Sequence, residues 1–133
     1  MKPLLKSCLI KSLKALPNHP QRKHYVHLSF AVVSGKVSTI GYNKSETPPV
    51  HFGYNRRVPD PKVHSELDAY RKLRKKVNIN DTEWSLINVR INRSGEMKNS
   101  KPCEVCQEWL KSIHCTHIIH TTETGWQTLS LRN

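Results

Sequence analysis

The sequence predicts an α/β fold, a three-layer sandwich with a five-stranded mixed sheet and helices on both faces. Three observations predict it. Segments of helical periodicity alternate with segments rich in β-branched and aromatic residues, the order expected of helices packed on a sheet. Tyr25 to Val33 is apolar on both of its faces, as a central strand covered by helices should be. The last two strand segments are joined only by Thr122 to Gly125, too short for the crossover that a parallel pair needs, so they pair antiparallel. At 133 residues the chain is expected to form one domain, residues 1–133, burying roughly two-thirds of its unfolded surface.

Taken in order, residues 4–16 place Leu5, Cys8, Leu9, Ser12, Leu13 and Leu16 at three-four spacing, with Lys6, Lys11 and Lys14 off that stripe. This is an amphipathic helix with one core face. Its lysines interrupt any apolar run of signal or membrane length, so it reads as structural, and no membrane association is expected. Pro17, Asn18 and Pro20 end it. Tyr25 to Val33 and Val37 to Tyr42 then form a hairpin about Ser34-Gly35-Lys36. A long loop follows from Lys44 to Lys62, with prolines at 48, 49, 59 and 61.

The second helix spans 63–76, with Val63, Leu67, Tyr70, Leu73 and Val77 on one face. Its other face carries Arg71, Lys72, Arg74, Lys75 and Lys76, a run that reads as solvated surface. Trp84 to Ile91 alternates as a strand, and Asn92 to Ser100 is a polar turn. The third helix starts with Pro102 at its first position and runs to about Ile113. Cys115 to Thr121 and Trp126 to Leu131 complete the sheet.

Composition narrows the partners. Lys and Arg total 22 against 10 acidic residues, a formal charge of +12, which points to a polyanion and first to nucleic acid. The loop residues His51, Phe52, Tyr54, Asn55, Arg56 and Arg57 suit stacking on bases and holding phosphates; the alternative is a packed cover over a sheet edge. No protein partner is indicated. Cys8 and Cys115 lie within apolar patterns as buried free thiols, and without a disulfide framework a reducing, intracellular setting is expected.

The chemistry concentrates in His64-Ser65-Glu66 and Pro102-Cys103-Glu104-Val105-Cys106, each predicted at the first turn of a helix. There one imidazole and two thiolates can close on a metal while a carboxylate stands beside it. The ligands His64, Cys103 and Cys106 predict one Zn²⁺ per chain with a fourth position open to water, whose pKa zinc lowers from about 15.7 to roughly 7. Glu66 is the expected catalytic acid-base. Two other uses of the cysteines compete. A Cys-x-x-Cys redox pair leaves the His-x-Glu stretch and the charge unexplained. A structural zinc module completed by His114, Cys115, His117 or His120 suffers from short spacing, and strand alternation puts His117 and His120 on opposite sides. The histidines at 19, 24, 27 and 51 read as polar surface or core residues.

His64-x-Glu66 followed by Pro102-Cys103-x-x-Cys106 resembles the signature of the zinc-dependent cytidine deaminase superfamily, and the order of elements is similar to that fold over most of the chain. The resemblance implies hydrolytic deamination of cytosine to uracil. It also implies substrate contacts from Asn43 to the sugar, from the Ser65 backbone N–H to the base carbonyl, and from the Lys101 carbonyl to the exocyclic amine. Ser65 and Lys101 depart from the family's usual alanine and serine. The closing hairpin looks like free cytidine deaminases and bacterial toxin deaminases, whereas APOBEC-type and tRNA adenosine deaminases place a helix between those strands. Charge and the Arg-aromatic loop favour a polynucleotide substrate, single-stranded DNA first, acted on in the cytoplasm or by a toxin module delivered into a cell. Free cytidine or deoxycytidylate is the alternative.

Overall fold

The computed structural model describes residues 2–16, 25–43 and 64–132. The expected loop from Lys44 to Lys62, with His51, Tyr54, Arg56 and Arg57, lies outside the described residues, as do Val63 and the helix-ending prolines 17 and 20. The described elements are α1 (Lys2–Ala15), β1 (Tyr25–Val33), β2 (Lys36–Tyr42), α2 (Ser65–Leu73), a 3₁₀ turn (Ile79–Asp81), β3 (Trp84–Asn92), β4 (Met97–Lys98), α3 (Glu104–Ser112), β5 (Cys115–Thr122) and β6 (Gly125–Ser130).

The sheet order is β2-β1-β3-β5-β6, with β3 and β5 parallel and the other neighbours antiparallel. A sixth strand was not anticipated. The stretch read as a polar turn folds back so that β4 pairs with the end of β3, because the Asn92 side chain accepts from the Ser94 and Glu96 amides and Gly95 takes a positive φ. Between β1 and β2, Ser34 and Gly35 both adopt positive φ, the geometry of a tight primed hairpin turn.

Strand alternation divides the core into two layers. Val26, Leu28, Phe30 and Val32 of β1 and Ile87, Val89 and Ile91 of β3 pack with α1. The opposite face presents Ala31, Trp84, Leu86 and Ile118 to α2 and α3. Helices therefore cover both faces, as expected. On α1 the stripe needs one correction: Leu13 is exposed, and the buried positions are Cys8 and Ser12. Ser12 tolerates full burial because its hydroxyl donates to the Cys8 carbonyl at 2.9 Å.

The basic run on α2 is not wholly a solvated surface. β2 is an edge strand, and the Lys72 and Lys76 ammonium groups donate to the Ile40 and Ser38 carbonyls at 2.8 and 2.9 Å, which covers that edge. Among the described residues, no helix is long and apolar enough to cross a membrane.

Candidate active site

Two helix starts face one cavity of about 430 Å³, within the range of small-molecule sites. His64 is the N-cap of α2 and Cys103 the N-cap of α3, both with extended backbone. Pro102 precedes the cap, so helix α3 begins later than the sequence suggested: the Cys103 sulfur accepts from the Cys106 amide at 3.5 Å and takes the capping role. The helices are held side by side by Tyr70, which stacks near Trp84 at 6.4 Å and meets the Trp109 ring edge-on at 5.6 Å.

Helix α2 is also seated directly on β2. Thr39 donates to the Ala69 carbonyl at 2.9 Å, and the Tyr42 amide donates to the buried Asp68 carboxylate at 2.9 Å. Gly41 makes this contact possible, because a Cβ there would overlap the Ser65 carbonyl oxygen and the Ala69 amide nitrogen. This seating places Ser65 and Glu66 over the middle of the sheet.

His64, Glu66, Cys103, Cys106, Asn43 and Lys101 all line the cavity, so the two stretches meet as the sequence predicted. Ser65 is fully buried beside it. The Asn43 side chain accepts from the His27 amide at 3.3 Å, which ties the end of β2 to β1. His51, Tyr54, Arg56 and Arg57 fall outside the described residues.

Sequence reasoning missed Tyr25, His27, Arg90 and Ser100, which also line the cavity, and Asn88 beneath it. His27, read as a surface or core residue, has a buried Nε2 with no hydrogen-bond partner among the described residues. Burial holds its pKa below the usual histidine value, against the opposing pull of Glu66. The Arg90 guanidinium lies 3.9 Å from the centre of the Tyr25 ring and near the cavity rim. A signal was available. Every second residue of β1 and β3 on this face turns polar toward one end: Ser29, His27 and Tyr25 on one strand, Asn88 and Arg90 on the other.

The donor set suits zinc: one imidazole and two sulfurs, of which that of Cys103 already accepts from the Cys106 backbone N–H. Burial, followed by the nearby Glu66 carboxylate, pushes the Cys106 thiol well up, so ionising it calls for a neighbouring cation. Among the described residues no group of three His, Cys, Asp or Glu side chains is gathered about one point; Cys106 is buried and Cys103 exposed.

No family model and no curated protein matches the sequence. Solved structures do share its fold. The apo dCMP deaminase of cyanophage S-TIM5 superposes with a TM-score of 0.57 at 13% identity, over 90% of this chain and 83% of that one. Cytidine deaminase from Mycobacterium leprae gives 0.54 at 17% identity, over 96% and 91%, and that from Mycobacterium tuberculosis 0.52 at 14%, over 92% and 86%. The chain thus has the cytidine-deaminase-like fold, with its last two strands antiparallel.

Proposed function

We propose that the protein is a zinc-dependent hydrolase that deaminates cytosine to uracil in a polynucleotide, with single-stranded DNA as the first substrate. The observation that carries this reading is the buried Glu66, 4% exposed, sharing one cavity with His64, Cys103 and Cys106. These three side chains would hold the ion, which when bound supplies the Lewis acidity that makes water a nucleophile near neutral pH. Glu66 takes one proton from the attacking water and passes it to the ring nitrogen, then takes the second from the hydroxyl added to the ring carbon and delivers it to the exocyclic amine, so that the carbon–nitrogen bond breaks and ammonia leaves. The water oxygen replaces that nitrogen on the ring carbon. His64 would be one of the ion's ligands, and Asn43 holds the sugar.

The cationic rim supports a phosphate-bearing substrate. Arg90, stacked on the half-exposed Tyr25, and the exposed Lys101 stand at the mouth, on a chain of formal charge +12. Four free cysteines support a reducing, intracellular setting. A second reading, a free cytidine or deoxycytidylate deaminase, is favoured by the activities that the similar structures carry in their names.

The test compares turnover of cytidine, deoxycytidylate, single-stranded oligonucleotide, RNA and duplex at two salt concentrations. Polynucleotide action predicts oligonucleotide turnover whose binding weakens as salt rises. Turnover confined to the mononucleoside or mononucleotide selects the second reading. Glu66→Ala should keep about one zinc per chain and lose deamination; unchanged activity refutes the mechanism.

A further inference from the structure

Beneath the cavity lie three fully buried polar side chains, Ser29 of β1, Asn88 of β3 and Ser65 at the start of α2. Buried polar groups of this kind are costly unless each finds a partner, and their partners converge on Glu66. Ser29 and Asn88 are directly opposed on β1 and β3. The Asn88 amide nitrogen donates to Glu66 Oε2 at 3.1 Å and to the Ser100 carbonyl at 3.2 Å. The Ser100 carbonyl can only accept, which fixes which end of the amide is nitrogen.

Proton counting then sets a direction through the chain. The Asn88 oxygen can only accept, so the single Ser29 hydroxyl proton goes to it, across 2.6 Å. Ser29 must therefore accept from Ser65 at 2.7 Å, and Ser65 has no second proton for Glu66 Oε1, 3.4 Å away. The bonds run Ser65 to Ser29 to Asn88 to Glu66 Oε2, each polarising the next. Oε1 is left with no committed donor among the described residues. Building on the deaminase reading above, we propose that Asn88 is a positioning residue that clamps Glu66 through Oε2 and reserves Oε1 as the oxygen that moves protons. Ser29 orients the clamp, and the Ser100 contact ties it to the segment that carries Cys103.

The test is a kinetic cycle on the zinc-loaded full chain with a cytosine-containing substrate that the wild type turns over. Asn88→Ala should lower kcat on the order of 100-fold, the effect of a catalytic group displaced by about an ångström, with KM within about twofold and about one zinc per chain. Ser29→Ala should lower kcat roughly tenfold alone and add nothing in the Asn88→Ala background, because it acts only through that amide. A structural role would instead lower zinc content and thermal stability while leaving kcat per zinc unchanged, and that result overturns the clamp. So does an undiminished kcat in Ser29→Ala, which decides the matter even if Asn88→Ala fails to fold. Wild-type kcat in Asn88→Ala beside an inactive Glu66→Ala refutes the clamp alone; activity in Glu66→Ala refutes the clamp together with the acid-base role of Glu66, and a zinc-loaded wild type that turns over no cytosine-containing substrate refutes the deaminase reading itself.

Discussion

Gly41→Ala adds one methyl group where β2 touches the backbone of α2. That methyl carbon would overlap the Ser65 carbonyl oxygen and the Ala69 amide nitrogen and lie 2.9 Å from Ala69 Cα. Ordinary carbon contacts are about 3.5–4.0 Å, so the helix must recede by roughly 1 Å. None of the clashing atoms can rotate away, since all belong to a helix backbone. Overpacking of this kind costs about 1–3 kcal/mol, and receding also stretches the Thr39 to Ala69 and Tyr42 to Asp68 hydrogen bonds, at about 1 kcal/mol each. A loss of about 3–5 kcal/mol is expected in urea unfolding followed by circular dichroism. The same shift carries Glu66 away from Asn88, so whatever folds should show kcat reduced on the order of 100-fold. Wild-type stability together with wild-type kcat in Gly41→Ala would refute the claim that this glycine sets the height of α2 over the sheet.

Further outcomes follow from individual contacts. Asp68, 2% exposed, accepts from the Tyr42 amide and pairs with Lys72 at 3.0 Å; Asp68→Ala should cost about 3 kcal/mol by denaturant unfolding, and a change under about 0.5 kcal/mol would show the pair to be incidental. Burial pushes the Cys115 thiol up to about 12 and the Cys8 thiol to about 11, from 9. Each folded thiol keeps its proton where the unfolded thiol has lost it, so their contribution is whole below pH 9. It then drains as pH rises through 11 to 12, by about 1.4 kcal/mol per pH unit per thiol, and Cys115→Ala should flatten part of that slope in urea midpoints taken from pH 8 to 11. Chelation, or Cys103→Ala, should remove the metal and lower the melting temperature together, because ligation and folding are coupled; an unchanged melting temperature after chelation would separate them.

Most of the fold was legible because its signals are local. The three-four spacing on α1, the apolar run of β1 and the short link before β6 each depend on neighbours in the sequence. That a carboxylate and two sulfurs line one cavity was legible for a different reason: a site at a helix start needs few residues at short spacing, and His64-x-Glu66 and Cys103-x-x-Cys106 supply them. What escaped depends on pairing across the sheet. Asn88 reads as an ordinary polar residue until β3 lies against β1 and brings it to Ser29. Lys72 and Lys76 read as solvated until β2 is known to be an edge. Leu13 reads as core because its spacing fits, but it is 40% exposed.

One sheet face thus serves two purposes, divided along the strands. Ala31 and Leu86 lie opposite each other in the β1–β3 register and are fully buried in the core beneath α2 and α3. One step along, two residues away on each strand, Ser29 and Asn88 face the same side but hold Glu66. A step in a strand is about 7 Å for two residues, so the change from packing to chemistry occurs within one side-chain spacing. The helices respect that division, since their N-termini, where carboxylate and thiolate are favoured, point to the polar end, while Leu73 and Leu110 further along bury in the apolar end. Stability and turnover should therefore respond to different residues on one continuous surface. Trimming Leu86 to alanine removes buried methyl groups and costs about 2–5 kcal/mol of folding free energy, with kcat of the folded fraction little changed. If Leu86→Ala instead reduced kcat as severely as Asn88→Ala at matched zinc content, the two ends of the face would be one mechanical unit, and Glu66 would owe its position to the core as a whole rather than to its amide partner.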